Sequence, residues 1–231
     1  MSEISPAEWT AILLSVRVAV IATLVATPFG IALAWLLARR DFWGKSLLDA
    51  AVHLPLVLPP VVTGYLLLLT FGKRGLVGGW LAEHLGIVFA FRWTGAALAC
   101  GVMSFPLLVR PIRLSIEAVD RRLEHAAETL GAAPWRVFAT VTLPLALPGV
   151  LAGMVLGFAK AIGEFGATIT FVSNIPGETQ TISSAIYSLI QTPNGDTAAA
   201  RLVIISIVLA VGALVAAEVF ARRATARLHG Q

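Results

Sequence analysis

Lys160 and Glu164 stand four residues apart inside an otherwise apolar run, AGMVLGFAKAIGEFGATITF. One helical turn separates them, so an ammonium and a carboxylate can meet on one helix face. Ionisable groups at membrane depth mark functional sites by default. Lys160 and Glu164 are therefore read either as a gate or anion-pathway element, or as a structural pair that neutralises itself. Arg17 is the other cation inside a long apolar stretch. It has three options: snorkelling to an interface, lining a cavity, or pairing with Glu164. Glu218 and Arg222 are spaced for a similar i, i+4 pair. The rest of the usual chemistry is missing. Gly44-Lys45-Ser46 lacks the upstream glycine of a phosphate-binding loop, because Arg39 stands there, so it marks a turn. The four histidines are scattered without ligand spacing, and His53 reads as a satisfied polar contact. No metal site is expected, and with Cys100 as the single cysteine no intrachain disulfide can form. Ser/His pairs and paired carboxylates do not occur in register, so no catalytic residue is assigned and an intramembrane enzyme is remote.

The elements that carry these residues are set by composition. Of 231 residues, 58% are hydrophobic and 13% charged, and mean hydropathy is +0.86. Soluble domains carry about 25% charge, and several apolar runs here reach the roughly 20 residues a helix needs to cross a bilayer. They lack the alternation of barrel strands, so the fold expected is all-α and polytopic. The net charge of +4 follows the ends of the spans, which makes it a topology signal and not a nucleic-acid footprint. No positive n-region precedes the first apolar run, so the N-terminus does not read as a cleavable signal peptide.

Five spans are expected, with a sixth if the apolar piece at 182–192 crosses fully; a short surface or re-entrant helix suits that piece better. The first runs from about Trp9 to Ala38, with Ala22, Ala26, Gly30, Ala34 and Ala38 forming one close-packing stripe. The second, about 50–72, holds Pro55, Pro59 and Pro60 and should be kinked or broken. A short helix is expected around Leu76–Leu85, then spans at Trp93–Leu114, 141–163 and Leu202–Phe220. The fourth carries Gly149, Gly153, Gly157 and Ala161 as a second small-residue stripe. Arg110 and Arg113 can snorkel at the end of the third. Arg39, Arg40 and Lys45, then Arg121, Arg122 and Arg136, then Arg222, Arg223 and Arg227 fall on one side of a five-span chain. That side is cytoplasmic by the positive-inside rule. The N-terminus and the segments 73–92 and 165–180 are then extracytoplasmic, and the C-terminus is cytoplasmic.

The cytoplasmic loop at about 118–140 has its own grammar. Asp120 can cap a short helix running through Ala127, Gly131 can end it in a left-handed conformation, and Pro134 can open the next helix. Ala126 and Ala127 give the short helix a low profile, suited to seating in a groove of another protein; an ordinary linker helix would read the same way.

The spacing His125-Ala126-Ala127, three residues, Gly131, nine residues, Val141-x-Leu143-Pro144 resembles the signature loop of importer-type ABC permeases. In that family Glu stands where this chain has His125, and Ile where it has Val141. The runs LPLVLPPVVTGYLLLLTFG, GEFGATITFVSNIPGETQT and AIYSLIQTP are similar to the molybdate permease subgroup, with sulfate and thiosulfate permeases as near relatives. The resemblance covers nearly the whole chain. It implies a single transmembrane permease domain, 1–231, working as a homodimer in the bacterial cytoplasmic membrane. Two ABC ATPase subunits would bind ATP and Mg, this chain holding no cofactor, and an extracytoplasmic binding protein would deliver molybdate or tungstate. Glu124, His125, Ala126, Ala127, Glu128, Leu130 and Gly131 would meet the ATPase. Tight binding within a pore slows release, so selectivity is expected in the binding protein, with Thr63, Ser104, Lys160, Glu164 and Thr168 as candidate pathway or gate groups. An ion-coupled secondary transporter is the competing class. It would want internal repeats and buried acidic relays, of which only Lys160 with Glu164 comes close.

Overall fold

The first helix, α1 (Pro6–Arg39), starts on a reciprocal cap. The Ser5 hydroxyl accepts from the Glu8 amide, and the Glu8 carboxylate accepts from the Ser5 amide at 2.6 Å. This computed structural model describes residues 4–228, with side chains placed for 4–216 and 219. The expected Glu218–Arg222 pair and the terminal arginines therefore lie outside the described side chains. The chain continues through α2 (Lys45–Val57), α3 (Pro60–Phe71), α4 (Leu76–Leu85), α5 (Trp93–Glu117), α6 (Arg121–Thr129) and α7 (Pro134–Val137). A π-helical turn at Phe138–Thr142 leads into α8 (Leu143–Ile162), followed by α9 (Gly166–Val172), α10 (Ile182–Leu189) and α11 (Asp196–Leu228).

At the centre lies α5, with α1 and α8 packed along it. Both small-residue stripes turn inward to make this possible. Ala22, Ala26, Gly30, Ala34 and Ala38 are all buried, and a side chain at Gly30 would strike the Leu108 methyl group. On α8, a β-carbon at Gly153 would sit 2.5 Å from the Leu108 carbonyl, and one at Gly149 would collide with Ser115 and the Pro111 carbonyl. Backbones approach this closely only through small residues. On the outer flanks, α11 packs against α8 and α10, and α3 against α9.

The second span is broken at Pro59–Pro60, where α2 and α3 turn by 114°. Neither proline can donate a backbone hydrogen bond, and the residue before each is pushed to extended backbone. Near the start of α2, Asp49 accepts from Arg113 at 2.9 Å, close to the C-terminal end of α5. At the end of α3, Phe71 meets Phe89 edge-on beside the N-terminal end of α5. The two halves of the bent pair thus touch different end regions of α5, in the expected place of the second span. Among the described residues α1, α5, α8 with the turns before it, and α11 are long and apolar enough to cross a membrane, which makes four spans, or five with the bent pair counted as one. At eight residues, α10 is about 12 Å long and cannot be a sixth.

Ion pairs fix which ends share a face. Glu8 meets Arg201 at 2.7 Å, tying the start of α1 to the start of α11. Arg39 meets Glu124 at 3.0 Å, tying the other end of α1 to the loop before α8. Arg113, expected to snorkel, is instead held between Asp49 and Glu117. Gly44, with φ of +89°, turns the chain into α2 as expected of a glycine in a turn. Next to it, the hydrogen bond from Lys45 holds the exposed Asp41 carboxyl below its ordinary range.

Replacing Gly153 with Leu should cost about 1–3 kcal/mol, because backbone of α5 cannot give way as a flexible side chain would. The same change at Gly212, which has open space around it, should leave the thermal midpoint in detergent near wild type. Equal losses at both sites would refute the close α5–α8 contact.

Candidate functional site

The loop joining α5 to α8 is built from local signals. Asp120 is extended, and its carboxylate accepts from the Arg122 amide at 2.9 Å, opening α6. The helix runs two residues past Ala127, to Thr129. Gly131 then takes φ of +86°, and the amide of Ala132 donates to the Ala127 carbonyl at 3.1 Å, closing the end. Pro134 opens α7, where its missing N–H costs nothing. Further on, the amide of Leu143 bonds back to Phe138, five residues away. Pro144 has no N–H to continue an α-helical ladder, and its ring would crowd the Thr140 carbonyl; the widened turn before it relieves both.

The two sides of α6 differ. His125, Ala126 and Glu128 are exposed, Ala127 is half-buried, and Leu130 is 89% exposed although strongly apolar. Leu123 and Trp135 extend the exposed apolar surface. Glu124 departs from the expected set because it faces the membrane helices. Its Oε1 accepts from Arg39 Nε at 3.2 Å, Arg39 Nη2 at 3.0 Å and Thr142 Oγ1 at 2.6 Å. Arg39 also donates to the Val119 carbonyl at 3.1 Å. The side chains of Arg39 and Glu124 are only 9% and 13% exposed. Glu124 thus binds α6 to the end of α1 and to the π-helical turn, and a carboxylate so occupied is a positioning group. Arg39 and Thr142 were not among the candidate residues. Arg39 read only as a topology charge, and no sequence spacing links it to a carboxylate 85 positions away.

The second cluster lies where α8 ends. Lys160 Nζ meets Glu164 Oε2 at 2.7 Å, while Glu164 Oε1 accepts from the Ala167 amide at 3.0 Å. Glu164 is thereby a pairing partner and a cap for α9 at once, its side chain 1% exposed against 29% for Lys160. Arg17 does not join it. The Arg17 guanidinium sits 3.8 Å over the Trp93 ring. Thr63 on α3 and Thr168 on α9 lie on packed helices, where a β-carbon at Gly64 would touch Ala167. The Thr168 hydroxyl bonds to the Phe165 carbonyl at 2.9 Å, whereas the buried Thr63 hydroxyl has no partner among the described residues. Ser104 is fully buried on α5 and bonds to the Gly101 carbonyl at 3.3 Å. The structure pairs Lys160 with Glu164 and packs α3, which carries Thr63, against α9, which carries Thr168. His53 Nδ1 lies 2.8 Å from the Asp49 carbonyl. Among the described residues no three His, Cys, Asp or Glu gather as metal ligands.

Changing Glu124 to Ala should destabilise the loop by about 3–5 kcal/mol, since Arg39 is left as a nearly buried charge without its partner. Tryptic cleavage after Arg121 and Arg122 should accelerate, and the Arg39→Met/Glu124→Leu pair should recover much of the protection. Unchanged cleavage in Glu124→Ala would show that the clamp does not hold α6.

The model of the family described as binding-protein-dependent transport system inner membrane component matches residues 26–226. The molybdenum transport system permease protein ModB of Escherichia coli K12 is 63% identical over 215 residues, covering 93% of this chain and 94% of that one. ModB of Haemophilus influenzae is 56% identical over 221 residues, covering 96% of each. Among solved structures, a bacterial ABC transporter involved in the import of the acidic polysaccharide alginate superposes with a TM-score of 0.74. That match is 21% identical and covers 95% of this chain and 80% of the other, so it speaks for the fold alone. A polytopic helical chain with this loop, matched over most of its length, is a multi-pass inner membrane protein and belongs to the family of binding-protein-dependent transport system inner membrane components.

Proposed function

We propose that the chain is the permease subunit of an ATP-driven importer that carries molybdate, and tungstate by the same chemistry, into the cytoplasm. One observation carries this reading: a short helix that leaves Leu123, His125 and Leu130 exposed is anchored by Glu124 on the end of the molecule that gathers Arg39, Arg121 and Arg136. A helix held that way is suited to seat in a groove of a partner and pass on its movement. The length-wide likeness to molybdenum permeases supplies the substrate class.

In this reading the whole chain acts as one permease domain and pairs with a second copy. The face carrying Arg39 and Glu124 is cytoplasmic by its basic residues, and Glu8 with Arg201 marks the extracytoplasmic side. Two ATPase subunits, holding ATP and Mg, receive α6 through His125, Ala126, Glu128, Leu130 and Gly131. The signature residues Val141, Leu143 and Pro144 frame the junction through which α6 movement reaches α8. Closure of the ATPases draws the loops together and opens the pathway outward. A binding protein then releases its anion, and hydrolysis resets the pore. Along the pathway, Lys160 offers a cation already partnered by Glu164, a weak site from which an oxyanion leaves readily. Thr63, Ser104 and Thr168 are the hydroxyls assigned to it.

Liposomes holding the chain and its ATPase, with binding protein outside and ATP inside, should take up labelled molybdate. Tungstate should compete and sulfate should not. Competition by sulfate would move the substrate to the sulfate and thiosulfate class; uptake by the chain alone under an ion gradient would overturn the importer reading. Replacing Gly131 with Val forces a branched side chain into φ of +86° and should uncouple hydrolysis from uptake or abolish assembly. Full transport by that variant would remove the coupling assignment.

A further inference from the structure

We propose that the groove between α1, α2 and α5 holds one acyl chain of an anionic glycerophospholipid, with its phosphate held by Arg17 and Arg92. The groove has a volume of about 700 Å³ and is lined by apolar side chains including Ile21, Val25, Phe29, Pro55, Ala97 and Phe105. Its depth can be placed. Arg17 and Arg39 are 22 positions apart on α1, roughly 33 Å along a helix, close to the thickness of a hydrocarbon core. With Arg39 at one interface, Arg17 lies at the other, and Trp93 beside it occupies the aromatic belt. From Trp93 to Phe105 the groove follows α5 for about 18 Å, near the roughly 15 Å of one leaflet.

The chemistry at the mouth selects the occupant. Arg17 and Arg92 are both exposed and flank Trp93, and neither forms an ion pair with a carboxylate among the described residues. A guanidinium lying over a ring keeps its N–H edge available, and that edge matches phosphate. Unneutralised cations above an apolar slot one leaflet deep fit a lipid that is negative at the head and apolar below. The zwitterionic lipid shares the chain but not the net charge. A second copy of this chain would have to place apolar side chains in the slot and leave both arginines without an anion.

The test is native mass spectrometry of the complete transporter released from bilayers of phosphatidylcholine with or without phosphatidylglycerol. Wild type should retain one phosphatidylglycerol per permease chain in preference to phosphatidylcholine. The Arg17→Gln/Arg92→Gln variant should retain roughly tenfold less, the equivalent of about 1.4 kcal/mol. Arg17→Lys/Arg92→Lys should keep most of the lipid, and Gly101→Phe, which fills the slot below intact arginines, should lose it. Equal retention in wild type and the glutamine variant would overturn the proposal, as would equal retention of the two lipids. So would cross-linking of two copies through Val25→Cys in a Cys100→Ser background, because the slot would then belong to a second copy.

Discussion

The close approach of α8 and α1 to α5 is the constraint on which the other features hang. Water gives no hydrophobic drive for helix association within a bilayer, so the helices are held by van der Waals contact, and contact requires small residues where backbones cross. Gly149 and Gly153 supply it where α8 crosses α5, and Gly30 where α1 does. Once these crossings are set, the loop from α5 to α8 has fixed endpoints. Its helix must lie across one face, and the end of α1 arrives beside it with Arg39.

Ion pairs then do local work on a frame already determined. Two of them act at opposite faces: Glu8 with Arg201 closes the start of α1 onto α11, and Arg39 with Glu124 closes its end onto α6. The second sits against the π-helical turn imposed by Pro144. At this turn the hydrogen-bond ladder is already widened, directly before α8 begins. Glu164 plays the corresponding part at the other end of α8, where one carboxylate neutralises Lys160 and caps α9.

Much of this was legible from residue spacing because the signals are local. Both small-residue stripes, the proline break at 59–60, the helix at 76–85 and the Asp120–Gly131 frame depend on groups within a few turns of one another. The Lys160–Glu164 contact was legible for the same reason, being a single-turn pair. Arg17 was not. Its three options differed only in what stood across from it, and Trp93 is brought there by the packing of α5 on α1. Glu124 is more instructive, because within α6 nothing distinguishes it from Glu128, and only the arrival of Arg39 and Thr142 turns one inward while the other stays exposed.

Hydropathy, residue volume and backbone preference act over a few residues, so the helical class, the small-residue faces and the caps are readable from residue order without any packing. The sharpness of the break between α2 and α3, a turn of 114°, came only with the tertiary structure, because the angle depends on what each half packs against. Tertiary structure alone selected the partners of Arg17, Arg39, Glu8 and Glu124. Choosing among distant opposite charges depends on which helix ends come to lie on the same face, and that follows from packing across the whole chain.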